Sequence, residues 1–255
     1  MKKALAFPTI VGIALAIVVL FIIAIFVSRS TIYAGEQAKK YGCRESVELA
    51  AKQSIGMSLT SRDYAELINC PTHYLTIDTA DSSQANKAIA EELRTCWWQM
   101  GEGKLDVFQH QSAVFCVVCS VIERWTGDKP VKGLEDWMRE HKLEGKTMNY
   151  LEYMTGTSSG YADYSASQKF TPMSIDTKQK YAVVYVYSKE AFEWSTEAQM
   201  KKMFQQGISA ESAVKYTVAY LFGWSTSTSY AARVVLVQYD SVILDRVLGC
   251  RVLTD

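Results

Sequence analysis

Hydrophobic and polar positions along this chain follow three patterns. From Pro8 to Val27 (PTIVGIALAIVVLFIIAIFV) the run is apolar, with no charge and nothing more polar than Thr9. At about 1.5 Å rise per residue, some 20 such residues span the roughly 30 Å hydrocarbon core of a bilayer, and a helix bonds every backbone amide internally. The run predicts a transmembrane anchor over residues 8–28. A short tail at 1–7 precedes it, and a soluble extracytoplasmic domain at 35–255 follows. A cleaved signal peptide would instead have an apolar stretch of about 7–15 residues and a small-x-small site. Ser28 to Ala34 offers no such site.

Helical periodicity comes next. Gly35 to about Ser54 predicts a helix with Val47, Leu49 and Ala50 apolar among charges, interrupted at Gly56. Ser61 to Asn69 predicts a short helix, with Ser61 as cap and Tyr64, Leu67 and Ile68 on one side, ended by Cys70-Pro71. The clearest amphipathic helix is Ser83 to Met100. Ala88, Ile89, Leu93, Cys96 and Trp97 recur at helical spacing, and Gly101-Glu102-Gly103 stops it. Gly133–Lys142, Asn149–Met154 and Ser195–Gln206 are further helices. Ser209–Trp224 reads as a buried amphipathic helix, too short and too charged to be a second span.

The third pattern is that of strands. His73–Asp78 alternates polar and apolar, Ser112–Trp125 is rich in Val, Ile and Phe, and Tyr181–Tyr187 (YAVVYVY) is the clearest strand. Arg233–Tyr239 and Val242–Leu253 follow as the last strands, joined by a tight turn near Asp240-Ser241. Gly156–Lys169 reads as an exposed loop. The interleaving predicts an α+β domain with an antiparallel or mixed sheet packed by helices, behind an N-terminal transmembrane helix.

Charge changes this picture little. The chain has 27 basic and 27 acidic residues, and with Lys2 and Lys3 before the anchor the remainder is slightly acidic. A nucleic-acid surface needs a concentrated basic face, so nucleic acid is not an expected partner. Positive charge prefers the cytoplasmic flank of a span, yet Lys2, Lys3 and the terminal amine on one side face Arg29, Lys39, Lys40 and Arg44, partly offset by Glu36, on the other. Charge by itself does not place the domain outside.

The cysteines do bear on orientation. Cys43, Cys70, Cys96, Cys116, Cys119 and Cys250 all follow the anchor. An even number in an exported domain suits disulfides, which persist in oxidising compartments; six reduced, buried thiols are the alternative. Cys116-Val117-Val118-Cys119 is a C-x-x-C inside an apparent strand, where positions three apart face opposite ways. Each sulfur is then expected to find its own partner, one towards Cys96 and the other towards Cys250 or Cys43. A redox pair would sit at a helix N-terminus, and a zinc site would want a second ligand pair, which the scattered His73, His110 and His141 do not supply.

Other motifs fail on context. Gly156-Thr157-Ser158-Ser159-Gly160 matches a nucleophile elbow, but every histidine precedes Ser158, and the flanks are not strand and helix. Gly101-Glu102-Gly103-Lys104 and Gly145-Lys146-Thr147 are incomplete phosphate loops. Trp97, Trp98, Glu102 and Lys104, at the end of the best helix, form the candidate interaction surface, with a purely structural role as the alternative.

The run Cys96-Trp97-Trp98 through Gly101-Glu102-Gly103-Lys104, with Phe115-Cys116-Val117-Val118-Cys119-Ser120, resembles a group of uncharacterised archaeal proteins carrying one N-terminal membrane helix. Cys43 and Cys70-Pro71-Thr72 fit the same group. The resemblance implies a single-pass membrane protein with an exported domain. It carries no activity, so no functional residue transfers.

These readings converge on an envelope protein with a disulfide-stabilised exported binding or structural domain. No cofactor, metal or nucleotide is expected. The partners are the bilayer through residues 8–28 and other envelope proteins. The alternative is a membrane-tethered redox or metal-dependent enzyme using the Cys116/Cys119 region.

Overall fold

The computed structural model describes residues 6–54, 63, 66–108, 115–155, 174–188, 220–226, 231–239 and 251–252. The chain divides into two compact units, Met1–Tyr41 and Gly42–Asp255. One helix, α1 (Ala6–Ser54), carries both the apolar run and the predicted helix after it, with no break at Ser28–Ala34. No residue in that connection is a proline, so nothing stops propagation. Among the described residues no helix is long and apolar enough to cross a membrane. Within the apolar run of α1, the side chains described are those of residue 15 and residues 17–25.

In the second unit, the end of α1 buries Cys43, Val47, Ala50 and Ala51, a stripe at i, i+4, i+7 and i+8. Leu49 falls off that stripe and is exposed. The next described elements are β1 (His73–Ile77), α2 (Ser82–Gln99), β2 (Phe115–Trp125), β3 (Val131–Lys132), α3 (Leu134–Glu140) and α4 (Tyr150–Thr155). The series ends with β4 (Ser174–Ile175), β5 (Tyr181–Ser188), β6 (Tyr220–Thr226), β7 (Ala231–Gln238) and β8 (Arg251–Val252). The predicted helix at Ser195–Gln206 and the loop at Gly156–Lys169 lie outside the described residues, as do positions 61, 62, 64 and 65 of the predicted helix at Ser61–Asn69.

The main sheet runs β1-β2-β5-β7-β6, with β8 also beside β2. β1 and β8 are parallel to β2, whereas β5, β7 and β6 are antiparallel to their neighbours, so the sheet is mixed. The unit is therefore α+β, with a mixed sheet packed by helices. β3 and β4 form a separate two-stranded ribbon that the sequence pattern does not reveal.

One expectation is corrected. Residues 220–224, assigned to a helix, belong to β6, which pairs with β7. A short apolar run does not distinguish strand from helix by period, and pairing with β7 decides it. Most of the predicted last strand, Val242–Leu253, and the turn at Asp240-Ser241 lie outside the described residues; the part described, β8, lies parallel to β2, with Cys116 opposite Val252.

The sheet is buried on both faces. Phe115, Val117, Ile122, Tyr181, Val183, Tyr185, Tyr187, Val234 and Leu236 join Ile89, Leu93 and Trp97 of α2 in one core cluster. On the other face Val118, Val121, Val184, Val186, Val235 and Val237 are also buried. Burial of both faces explains why β5 reads as a continuous apolar run and not as alternation. In β2 the register shifts between Val118 and Ser120. The extra residue re-phases the strand, which is why Ile122, and not Val121, joins Phe115 and Val117 in that cluster.

Candidate functional site

Residues singled out by sequence gather where α2 ends. Asp81 starts that helix, its Oδ1 accepting from the Ser83 amide at 2.8 Å. The far end closes with two backbone bonds, Gly101 N to Trp98 O at 3.1 Å and Glu102 N to Trp97 O at 2.9 Å. That is the Schellman pattern, with Gly101 in the left-handed position at φ 79°. The left-handed path then continues through Glu102 (φ 57°) and Gly103 (φ 66°). Glu102 is the one non-glycine residue with positive φ among the described residues. Such a backbone costs an ordinary L-residue about 1–2 kcal/mol.

The Glu102 side chain offsets that strain. Its Oε1 accepts from the Tyr153 hydroxyl and its Oε2 from Lys104 Nζ, each at 2.6 Å. Burial pushes its carboxyl up, but the bonds from Lys104 and Tyr153, with the charges of Lys104 and Arg44, prevail and hold it below the usual carboxylate range. Tyr153 is pushed well above its ordinary value by burial and by Glu102. At neutral pH the pair is a carboxylate and a phenol, with neither group tuned for proton transfer near pH 7.

Trp97 and Trp98 are adjacent but have opposite roles. Trp97 is 2% exposed and lies 6.4 Å from the Tyr185 ring, so it is a core residue and not part of a recognition surface. Trp98 is only partly buried, and the Arg44 guanidinium stands 4.7 Å over its ring. Arg44 also donates to Trp98 O at 3.0 Å and to Glu48 at 3.0 Å. Of the expected surface, Trp98, Glu102 and Lys104 come together, and Arg44, Tyr153 and Lys146 are added. Lys146 Nζ lies 4.8 Å over the Tyr153 ring. Neither Arg44 nor Tyr153 carries a motif, and only tertiary contact brings them here.

The five described cysteines are bonded. Cys43 pairs with Cys70 and Cys96 with Cys119. Cys116 is also disulfide-bonded, and no free cysteine occurs among the described residues. Cys250 lies outside them. The two sulfurs of the C-x-x-C therefore have separate partners: Cys119 meets α2, while Cys116 is on the opposite face of β2. Cys43, one of the partners considered for that strand, instead ties α1 to the chain entering β1.

No group of His, Cys, Asp or Glu suited to a metal ion occurs among the described residues. His73 Nδ1 lies 3.5 Å from Glu92. His141 stacks on Trp137 at 4.1 Å, with Nδ1 2.8 Å from the Trp137 carbonyl, which can only accept. His110 lies outside the described residues. The turn at Gly145 is left-handed (φ 71°) and links α3 to α4.

Comparison with known protein families, curated proteins and solved structures finds no match.

Proposed function

We propose that this chain is a single-pass membrane-anchored envelope protein whose α+β domain lies outside the cytoplasm and acts by binding or as a structural element. The bonded cysteines are the observation that carries the reading. Cys43–Cys70, Cys96–Cys119 and the bonded Cys116 fasten α1, α2 and β2, a pattern suited to an oxidising compartment. Cys43, Cys96 and Cys116 are essentially inaccessible, unlike the exposed thiols of redox catalysts.

The apolar half of α1 supports the anchor. Its described large side chains, Leu15, Ile17–Ile23 and Ile25, are 49–66% exposed. A contiguous apolar surface of this kind calls for a non-aqueous partner, and its sequence extends from Pro8 to Val27. The clustered polar groups at the end of α2 supply no nucleophile, general base or metal ligand set, so binding or scaffolding suits the domain better than catalysis.

The test is thiol accessibility in intact cells, using a membrane-impermeant maleimide with mass readout. Labelling that requires prior reduction supports a bridged domain outside the cytoplasm. Free thiols that react only after lysis would overturn the proposal.

A further inference from the structure

α4 has six residues, Tyr150–Thr155, and a helix this short is unstable alone, so tertiary ties must hold it. Asn149 and Glu152 cap its start reciprocally: the Glu152 amide donates to Asn149 Oδ1 at 2.7 Å, and the Asn149 amide to Glu152 Oε2 at 2.9 Å. Leu151 and Met154 are buried beneath it. Both its tyrosines reach carboxylates on or just beyond α2. Tyr150 donates to Glu91, which also pairs with Arg94 at 2.8 Å, and Tyr153 donates to Glu102. Glu102 differs from Glu91 in standing on a left-handed backbone between two glycines.

We propose that Glu102 is an acid-released latch for α4. While ionised it accepts from Tyr153 and Lys104 and offsets the strain of its own backbone. Once protonated it loses the ion pair with Lys104, the strain is no longer offset, and α4 loosens from the end of α2. The charged and titratable groups facing this latch are Arg44 from α1, Glu91 and Arg94 from α2, and Lys104 from the turn. Glu144 and Lys146 precede α4, and Tyr150 and Tyr153 lie on it.

The sign follows from the geometry. The folded carboxyl lies below its ordinary value, so the latch contributes fully above the ordinary carboxylate range. Its contribution is lost as pH falls through the depressed folded value. Tyr153, shifted upward, remains a donor throughout. The latch works on either side of a membrane and is independent of the proposed localisation.

The test is amide hydrogen exchange on the full chain in detergent micelles, at about pH 7 and about pH 3.5, corrected for intrinsic exchange. Acidification should lower protection across 150–155 by about tenfold relative to β5, the equivalent of about 1.4 kcal/mol of local stability. Glu102→Gln should show low α4 protection already at neutral pH and no further response. Glu102→Gly, which suits the left-handed backbone, guards against misfolding of the first variant and should also lack the response. Equal loss in α4 and β5, an unchanged α4, or a wild-type response in either variant would overturn the latch.

Discussion

Replacing Cys96 and Cys119 together by alanine removes the covalent tie between α2 and β2 near the centre of the core. The bridge closes a loop with a sequence separation of 23 residues. Loop-closure entropy for that length gives about 3.4 kcal/mol of stabilisation, acting by restricting the unfolded chain. Alanine is the right replacement, since a buried serine hydroxyl without a partner would add a polar penalty of about 1–3 kcal/mol. The assay is urea unfolding of the full chain in detergent without reductant, followed by near-UV circular dichroism from the buried aromatic side chains. With a urea dependence of about 2–3 kcal/mol per molar, the midpoint should fall by roughly 1.1–1.7 M. The dependence itself should steepen, because the uncrosslinked denatured chain is more expanded. A midpoint within about 0.3 M of wild type, beyond which the predicted effect would be several times larger, would refute the reasoning. It would mean that this bridge does not constrain the unfolded chain.

Five other substitutions separate the parts of the structure. Trp97→Ala should cost about 3–5 kcal/mol because the ring is core, whereas Trp98→Ala should cost about 1 kcal/mol, since Arg44 keeps its bond to the Trp98 carbonyl. The two denaturation midpoints check this, and equal effects would contradict it. Gly101→Ala should destabilise by roughly 2–3 kcal/mol, as its φ is 79° and the new Cβ would stand 2.4 Å from Leu105 Cδ1. Gly145→Ala, at φ 71° with open space around it, should cost about 1 kcal/mol; thermal melts of the two variants make the comparison. Leu20→Arg places a charge in the apolar run and should cost about 2.5–3.5 kcal/mol of membrane insertion. The expected readout is a larger fraction released by alkaline carbonate, and release of the wild-type chain itself would refute the anchor.

Features that depend on local pattern were legible in the chain before any tertiary contact was known. β1, α2, β2, α3, α4, β5 and β7 follow from periodicity, with Gly101 ending α2, because backbone geometry and one-sided burial act over neighbouring residues. The separate fates of Cys116 and Cys119 were also readable, since side chains three apart on a strand face opposite sides. Pairing lay beyond it. That 220–224 form a strand, that β8 runs beside β2, and that Cys43 meets Cys70 depend on residues distant in the chain. A short apolar run is equally compatible with several such partners. The site shows the same division: Trp97 and Trp98 are neighbours of one type, yet one fills the core and the other stacks under Arg44, because successive positions on a helix differ by about 100° and tertiary packing selects which direction is inward.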